Sequence, residues 1–163
     1  MTGIPLSQPD ITEKEIQAVV DTMRSGRLSI GPRQSRFEEV VAERTKRRRG
    51  IAVNSGTSGL HLVLRALDIG PGDEVITTPF SFIASANCIL YVGAKPVFVD
   101  IDSRSMNMDP AKVEAAITPK TKAIIGVEVF GDPTHMDRLA QVAGAHEIPL
   151  IEDACEGLGG VYK

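Results

Sequence analysis

The sequence is poor in the residues that build disulfide-rich, metal-binding or membrane-spanning proteins. Its two cysteines, Cys88 and Cys155, are far apart and form no C-x-x-C pair, and its three histidines are scattered. No apolar run approaches the roughly 20 residues that a membrane-spanning helix needs, and no charged and apolar leader opens the chain. These absences argue against a disulfide scaffold or a membrane anchor, and we expect a cytoplasmic protein.

The chain also lacks a strong excess of charge of either sign. Its 18 basic and 21 acidic side chains give a formal net charge of -3, which offers no general attraction to nucleic acid or to an anionic membrane. The basic run at residues 46–49 is an exception, but it ends a predicted helix, where cations suit the helix dipole. We therefore expect neither nucleic acid nor a membrane as a partner.

A turn rich in small residues organises what is present. Residues 54–59, Asn-Ser-Gly-Thr-Ser-Gly, stand between a short apolar run at 51–53 and an amphipathic segment at 60–67, which predicts a strand, a tight turn and a helix. Backbone N–H groups at the start of such a helix form a natural seat for a phosphate. The alternative is that Ser55 or Thr57 only caps the helix and that the glycines only form the turn.

From residue 50 onward, short apolar strands alternate with amphipathic helices. Repeated units of this kind predict a mostly parallel sheet that is covered by helices on both faces. In such sheets ligands collect beyond the carboxyl ends of the strands. Strands are predicted at 51–53, 74–77, 95–101, 123–127 and 148–151, and helices at 60–67, 81–91, from 110, and at 134–146.

The residues before this alternation predict an extended arm at 1–11 and two helices. Thr12 and Glu15 have the spacing of a capping box at the start of the first helix. The loop at 25–32 between the helices is rich in small and polar residues, and exposed loops often carry function. We therefore divide the chain into residues 1–49 and residues 50–163.

Two side chains at predicted strand ends are candidates for cofactor chemistry. Asp153 follows the last strand, where a buried carboxylate is costly unless it meets a cation such as a protonated pyridine nitrogen. Alternatively, Asp153 caps the following turn or binds a metal. Phe82 follows another strand, where its ring either lies against a flat cofactor or belongs to the core.

Five motifs occur in a characteristic order and spacing. They closely resemble the DegT/StrS family of pyridoxal-phosphate-dependent nucleotide-sugar aminotransferases, and the resemblance runs from about residue 6 to residue 163. The motifs are Asn-Ser-Gly-Thr-Ser-Gly-Leu-His-Leu at 54–62, Gly-Pro-Gly-Asp-Glu-Val-Ile at 70–76, Phe-Ser-Phe-Ile-Ala-Ser-Ala-Asn at 80–87, Gly-Ala-Lys-Pro-Val-Phe-Val-Asp-Ile-Asp at 93–102, and Ile-Glu-Asp-Ala-Cys-Glu at 151–156.

The resemblance implies an α/β fold of the aspartate-aminotransferase type, which is fold type I of the pyridoxal-phosphate-dependent transferases. Its large domain has a mostly parallel sheet sandwiched by helices, and residues 50–163 would form the first part of that domain. It also implies a homodimer that uses pyridoxal 5'-phosphate. The implied reaction transfers an amino group, with glutamate as the expected donor, to a nucleotide-linked keto sugar.

Carried over position by position, the family's cofactor contacts fall on five residues. Gly56 and Thr57 would hold the cofactor phosphate, Phe82 would stack on the pyridine ring, and Asp153 would pair with the ring nitrogen as the catalytic acid partner. Glu156 would lie near the cofactor's 3-hydroxyl, where the family usually has Gln or His. This departure leaves the role of the Glu156 charge open.

Two further family positions concern other parts of the chain. Glu128 stands where the family commonly has His, which is a second departure from the pattern. The loop that contains Leu28, Ser29 and Gly31 resembles the family segment near the sugar substrate.

Transamination also needs a lysine that bonds the cofactor covalently and moves a proton. In the family this Schiff-base lysine follows the acidic strand motif in a Ser-x-x-x-x-Lys setting, and no lysine of this chain has that context. We therefore expect the chain to be the amino-terminal part of a longer protein and to be inactive alone.

Three alternatives to the aminotransferase remain open. A sugar dehydratase of the same family would carry His in place of the lysine. A non-catalytic regulator or sensor of the same fold would carry neither residue. A dinucleotide-binding domain is disfavoured because the turn lacks the G-x-G-x-x-G pattern.

Overall fold

The computed structural model describes Gly3 and residues 7–162. These residues form two compact units, one ending at Ala52 and the other beginning at Val53. This boundary lies slightly after the predicted boundary between residues 49 and 50. The assignment of the second unit to a cofactor-binding domain stays a prediction.

The first unit contains helices α1 (Glu13–Arg24) and α2 (Pro32–Arg44). At the start of α1, the Thr12 hydroxyl accepts the Lys14 N–H, and the Glu15 carboxylate accepts the Thr12 N–H at 2.7 Å. The predicted capping box is therefore confirmed. Of the predicted arm at 1–11, residues 1, 2 and 4–6 lie outside the part that the structure describes.

The second unit is a parallel sheet with helices on both faces. Its four strands run in the order β2-β1-β3-β4, and every neighbouring pair is parallel. The strands are β1 (Glu74–Thr77), β2 (Lys95–Phe98), β3 (Thr121–Val127) and β4 (Leu150–Asp153). The helices are α3 (Gly56–Ala66), α4 (Ala84–Tyr91), α5 (Pro110–Ala116) and α6 (Met136–Ala145), with a short 3-10 helix at Val129–Gly131. In the described part of the chain, no helix has the length and apolar character to cross a bilayer.

Side chains that alternate along the central strands fill two separate cores. Val75 and Ile125 point to the face that α3 and α4 cover, while Ile76 and Ile124 point to the face of α5 and α6. Because both faces are covered, consecutive apolar residues occupy the centre of β1 (75–76) and most of β3 (123–127), rather than alternating with polar ones. The predicted α/β architecture with a mostly parallel sheet is confirmed.

The predicted strand at 51–53 is wrong. Ile51 is 80% exposed, and these residues pair with none of the strands in the described chain. The Ala52 N–H donates instead to the Glu38 carboxylate at 2.9 Å. Two β-branched residues in a run of three do not make a strand without a neighbour that completes the hydrogen-bond ladder.

Several other element bounds differ from prediction by a few residues. β2 ends at Phe98, and Ile101 instead forms an isolated antiparallel bridge with Met108. α6 begins at Met136 and not at residue 134 as predicted. The residue before it, His135, has a left-handed backbone (φ 77°), which a right-handed helix cannot include. β4 begins after Pro149, which has no N–H for the ladder, and it extends to Asp153. The strand therefore carries Asp153 itself.

A buried asparagine holds the segment that follows β3. Asn107 is 2% exposed, and its amide group donates to the carbonyl oxygens of Asp132 and Thr134 at 2.7 and 3.1 Å. Its Oδ1 accepts the Val129 N–H at 2.9 Å. One side chain thus satisfies three backbone groups of a segment that has little regular structure.

Asn107→Ala should lower the free energy of unfolding by about 1–3 kcal/mol, because it leaves these backbone groups without partners. Urea unfolding would measure the change. The control is Asn87→Ala on α4, which removes an amide with no side-chain hydrogen bond among the described residues and should change stability by less than about 0.5 kcal/mol. Equal losses in the two variants would contradict this role of Asn107.

Candidate functional site

A cavity of about 580 Å³ opens at the carboxyl ends of β1, β3 and β4. Its volume lies within the range of small-molecule sites, and its position is the one at which parallel sheets bind ligands. All of its lining residues belong to the second unit. They are Gly56, Thr57, Leu60, Pro79, Phe80, Ser81, Phe82, Ala84, Val127, Glu128, Val129, Phe130, Asp153, Cys155 and Glu156.

The amino terminus of α3 lies at this cavity and leaves backbone donors available. The Ser55 hydroxyl caps the helix by accepting the Ser58 N–H at 3.1 Å. The N–H groups of Gly56 and Thr57 have no acceptor within the described residues. Since the helix dipole also favours negative charge here, this end of the cavity suits an anionic group.

The amino terminus of α3 is closely packed against another part of the cavity wall. A Cβ atom at position 56 would lie 3.0 Å from the Cys155 sulfur, so any residue other than glycine would require the Cys155 side chain to shift. The prediction that Ser55 caps the helix is correct. The cap uses the N–H of Ser58, so the N–H groups of Gly56 and Thr57 remain available to an anion.

Asp153 brings a buried carboxylate to the same cavity. It is 8% exposed and shares the face of β4 with Ile151, which packs against the core under α3 and α4. The Ser85 hydroxyl of α4 donates to Asp153 Oδ2 at 2.8 Å, and the Ser81 and Ser85 hydroxyls lie 2.8 Å apart. These serine hydroxyls stabilise the carboxylate but add no positive charge, so Asp153 remains available to a cationic group.

Three phenylalanines line the cavity, and other side chains leave two of them, Phe82 and Phe130, largely uncovered. Phe82 is 77% exposed and Phe130 is 78% exposed, which is unusual for apolar rings of this size. The prediction that Phe82 could belong to the core is therefore wrong. Each ring offers a flat apolar surface to a bound molecule.

The loops after β3 and β4 are tied to each other beside the cavity. The Phe130 N–H donates to Glu156 Oε2 at 2.8 Å, and the Glu128 N–H donates to the Asp153 carbonyl oxygen at 3.1 Å. A Cβ atom at Gly131 would meet the Glu156 carbonyl oxygen at 2.6 Å. The two loops therefore pack at distances that only glycine permits.

Glu128 and Cys155 have perturbed acidities for different reasons. Desolvation, with the charges of Glu152 and Asp132, raises the pKa of the Glu128 carboxyl above 4.5. A hydrogen bond to the Asp153 carboxylate, with partial burial, raises the pKa of the Cys155 thiol from 9.0 to about 11. The cavity thus favours neutral forms of these two acids, as expected near a concentration of negative charge.

The charges around the cavity are all of one sign. Glu128, Asp153 and Glu156 line it, while none of its described lining residues is lysine, arginine or histidine. Within the part of the chain that the structure describes, no group of three or more histidine, cysteine or acidic side chains is arranged to hold a metal ion.

The structure brings five of the predicted site residues together around the cavity, namely Gly56, Thr57, Phe82, Asp153 and Glu156. Their roles toward a cofactor stay predictions. Leu28, Ser29 and Gly31 lie between α1 and α2 in the first unit, and their role toward a substrate also stays a prediction. The turn before α3 was predicted to follow a strand, but residues 51–53 form none.

Several side chains at the cavity escaped the sequence analysis. Ser85 could have been found from its spacing of four residues after Ser81 on a predicted helix, but its partner Asp153 is 68 residues away. The sequence near Phe130 does not predict its position or its hydrogen bond to Glu156. Phenylalanine rarely adopts a left-handed backbone, so the residue type gives no indication of the turn.

Comparison with known proteins gives a consistent result. The sequence profile of the DegT/DnrJ/EryC1/StrS aminotransferase family matches residues 9–163. The spore coat polysaccharide biosynthesis protein SpsC of Bacillus subtilis is 46% identical over 160 residues, which are 98% of this chain and 41% of that protein. The UDP-4-amino-4-deoxy-L-arabinose–oxoglutarate aminotransferase of Shewanella sediminis is 42% identical, over 98% of this chain and 41% of that protein.

A solved structure is also closely similar. A Streptococcus pneumoniae protein assigned as a sugar aminotransferase superposes in its PMP form with a TM-score of 0.95 and 41% identity, over 99% of this chain and 44% of that one. Its PLP form superposes with a TM-score of 0.93. The chain spans about two fifths of the length of the proteins that it matches.

Cys155 should react slowly with iodoacetamide although it is exposed. With a pKa of about 11 instead of 9.0, its thiolate fraction at pH 8 is about a hundredfold below that of an ordinary thiol. Asp153→Asn removes the negative charge, so alkylation of cofactor-free protein should accelerate by at least about tenfold. Peptide mass spectrometry would follow Cys155, and alkylation of the fully buried Cys88 would report any unfolding that the substitution causes. An unchanged rate would contradict the assigned cause.

Glu128→Gln should make the protein more stable at pH 7. Because the native pKa of Glu128 is raised, the folded state binds more protons than the unfolded state just above pH 4.5, and stability falls as pH rises through that window. The gain from the substitution should therefore disappear near pH 4. Urea midpoints measured against pH would test this, with Glu114→Gln on the exposed side of α5 as the control. A gain that persists at pH 4 would rule out the linkage.

Proposed function

The chain belongs to the DegT/DnrJ/EryC1/StrS aminotransferase family, and from that premise we propose that its full-length form is a pyridoxal-phosphate-dependent sugar aminotransferase. The observation that carries the proposal is the placement of an open helix amino terminus and a buried carboxylate on one cavity. An anion seat and a partner for a cationic ring are two of the features that pyridoxal phosphate requires of its site, and the third is the lysine.

The residues around the cavity fit this cofactor. The cavity volume of about 580 Å³ accommodates the ring and its phosphate with space for a substrate. The described lining has no cation that would compete for Asp153. The solved PLP and PMP forms of the Streptococcus pneumoniae relative support the same cofactor for this chain.

In this proposal the N–H groups of Gly56 and Thr57 hold the phosphate, assisted by the dipole of α3. Phe82 lays its exposed ring against the pyridine ring and shields it from water. Both contacts fix the position of the ring relative to the acid at the end of β4. They act by binding and orientation and do not transfer a proton.

Asp153 would hold a proton on the pyridine nitrogen. Its burial makes the interaction with a positively charged nitrogen strong, and the hydrogen bond from Ser85 fixes the orientation of its carboxylate. When bound, pyridoxal phosphate would supply an aldehyde carbon that carries the amino group and an electron-withdrawing ring that stabilises the negative charge developed during the transfer. The acid therefore maintains the charge state on which that chemistry depends.

The substrate, donor and assembly are part of the same proposal. We propose a nucleotide-linked keto sugar as acceptor and glutamate as donor, in a cytoplasmic homodimer. The names of the Shewanella sediminis and Bacillus subtilis relatives, a UDP-sugar–oxoglutarate aminotransferase and a polysaccharide biosynthesis protein, support the substrate class. Leu28, Ser29 and Gly31 are proposed to contact the sugar nucleotide.

The covalent link to the cofactor is proposed to come from a lysine outside these 163 residues. None of the lysines in the sequence stands in the Ser-x-x-x-x-Lys setting of the family. The 163-residue chain alone is accordingly proposed to bind the cofactor without turnover. Borohydride reduction of the full-length protein followed by intact-mass analysis would identify a covalently attached cofactor and its lysine.

Asp153→Asn in the full-length protein should lower kcat for amino transfer by about a hundredfold, because the ring nitrogen loses its anionic partner. The measurement is transfer from glutamate to UDP-linked keto sugars, followed by mass spectrometry of the amino sugar. The control is Asp68→Asn, at an exposed left-handed position after α3 that asparagine also accepts. This control should keep the wild-type rate.

Other outcomes would replace the proposal. Loss of a hydroxyl from the sugar without gain of an amine would identify the dehydratase. Binding of cofactor or sugar nucleotide without any reaction would identify the regulator. Wild-type kcat in Asp153→Asn would remove Asp153 from the mechanism.

A further inference from the structure

The segment after β3 contains a residue in an unfavourable backbone conformation at the edge of the cavity. Phe130 has φ 55° and ψ 22°, in the left-handed region that residues with bulky side chains rarely adopt. The residue is also 78% exposed and lines the cavity. Both the backbone and the ring are therefore in states that must be maintained by their surroundings.

The contacts that maintain Phe130 come from the loop after β4. The Phe130 N–H donates to Glu156 Oε2 at 2.8 Å. The adjacent Gly131, at φ 77°, leaves no space for a Cβ atom against the Glu156 carbonyl oxygen. On its other side, the Val129 N–H is held by the buried side chain of Asn107 at 2.9 Å.

These contacts give Glu156 a task different from that of a cofactor ligand. One of its carboxylate oxygens is bound to a backbone N–H, and no lysine, arginine or histidine lies among the described residues of the cavity wall to compete for it. An amide oxygen can accept the same N–H, so the task depends on an acceptor at this position and not on its negative charge.

We propose that Glu156 is a positioning residue that fixes the left-handed turn at Phe130 and thereby holds the Phe130 ring in the wall of the cavity, where the ring contacts the substrate. The inference rests on the proposed function for the identity of the substrate. The contact itself does not depend on that function. Phe130 makes the apolar contact with the sugar substrate, and Glu156 acts only through it.

The first experiment measures the contact without any reaction. Hydrogen exchange of the full-length, cofactor-free protein is followed by mass spectrometry in peptides that contain residues 129–132. Glu156→Ala should accelerate exchange there by at least about tenfold, because the Phe130 N–H loses its acceptor. Glu156→Gln should restore most of the protection. Glu114→Ala, an equal loss of charge on α5, is the control and should leave these peptides at the wild-type rate.

The second experiment tests whether Glu156 acts through the ring. In steady-state kinetics Glu156→Ala should raise KM for the sugar substrate by about tenfold, with a smaller change in kcat and in KM for glutamate. Phe130→Ala should have a similar effect. The double variant should be no worse than Phe130→Ala alone, because both changes remove the same contact.

The visible absorption of bound cofactor separates this role from the one that family resemblance implies. If Glu156 acts on the backbone, Glu156→Gln leaves the pH dependence of that absorption unchanged. A shift of that dependence in Glu156→Gln would show that its charge acts near the cofactor's 3-hydroxyl, and it would overturn the proposal. So would additive losses in the double variant, or equal exchange rates in Glu156→Ala and wild type.

The two proposals fail in distinguishable ways. If the full-length protein neither binds pyridoxal phosphate nor transfers amino groups, the exchange experiment still reports on the contact between Glu156 and Phe130. If that exchange is unaffected while activity is present, only the positioning role is lost.

Discussion

The site depends on the hydrogen bond by which Ser85 stabilises the buried carboxylate of Asp153. A carboxylate in this position must have a donor, because burial without one would be costly. The parallel register of β3 and β4 and the period of two along β4 direct Asp153 toward α4. Since the donor is a neutral hydroxyl, the carboxylate keeps its charge for a ligand.

The remaining parts of the cavity follow from the same sheet. α3 and α4 cover the face toward which Asp153 points, so the amino terminus of α3 and the residues before α4 lie beside it. α5 and α6 cover the opposite face, and Asn107 fixes the segment that carries Phe130. The cavity, with an open helix amino terminus, a buried carboxylate and exposed aromatic rings, therefore depends on which strand face each helix covers.

Much of this arrangement was predictable because it follows from local patterns. Apolar strands that alternate with amphipathic helices specify a covered parallel sheet, and the motifs at its edge identified Gly56, Thr57, Phe82 and Asp153. The errors have physical causes. Residues 51–53 have strand propensity but no ladder partner, and the contacts of Ser85 and Glu156 join residues 68 and 26 positions apart, which single-sequence patterns do not reveal.

The position of Asp153 at the end of β4 has a consequence for the order in which the parts of the cavity are made. On the ribosome, α3 and residues 81–85 are synthesised before Asp153. β4 can pair with β3 only after the connection through α6 has been made. Parallel pairings of this kind close slowly because they join distant parts of the chain. A nascent chain that ends before β4 therefore has the amino terminus of α3 but not the carboxylate. A ligand that needs both groups could bind only after β4 has paired with β3, so its binding would follow this pairing rather than guide it.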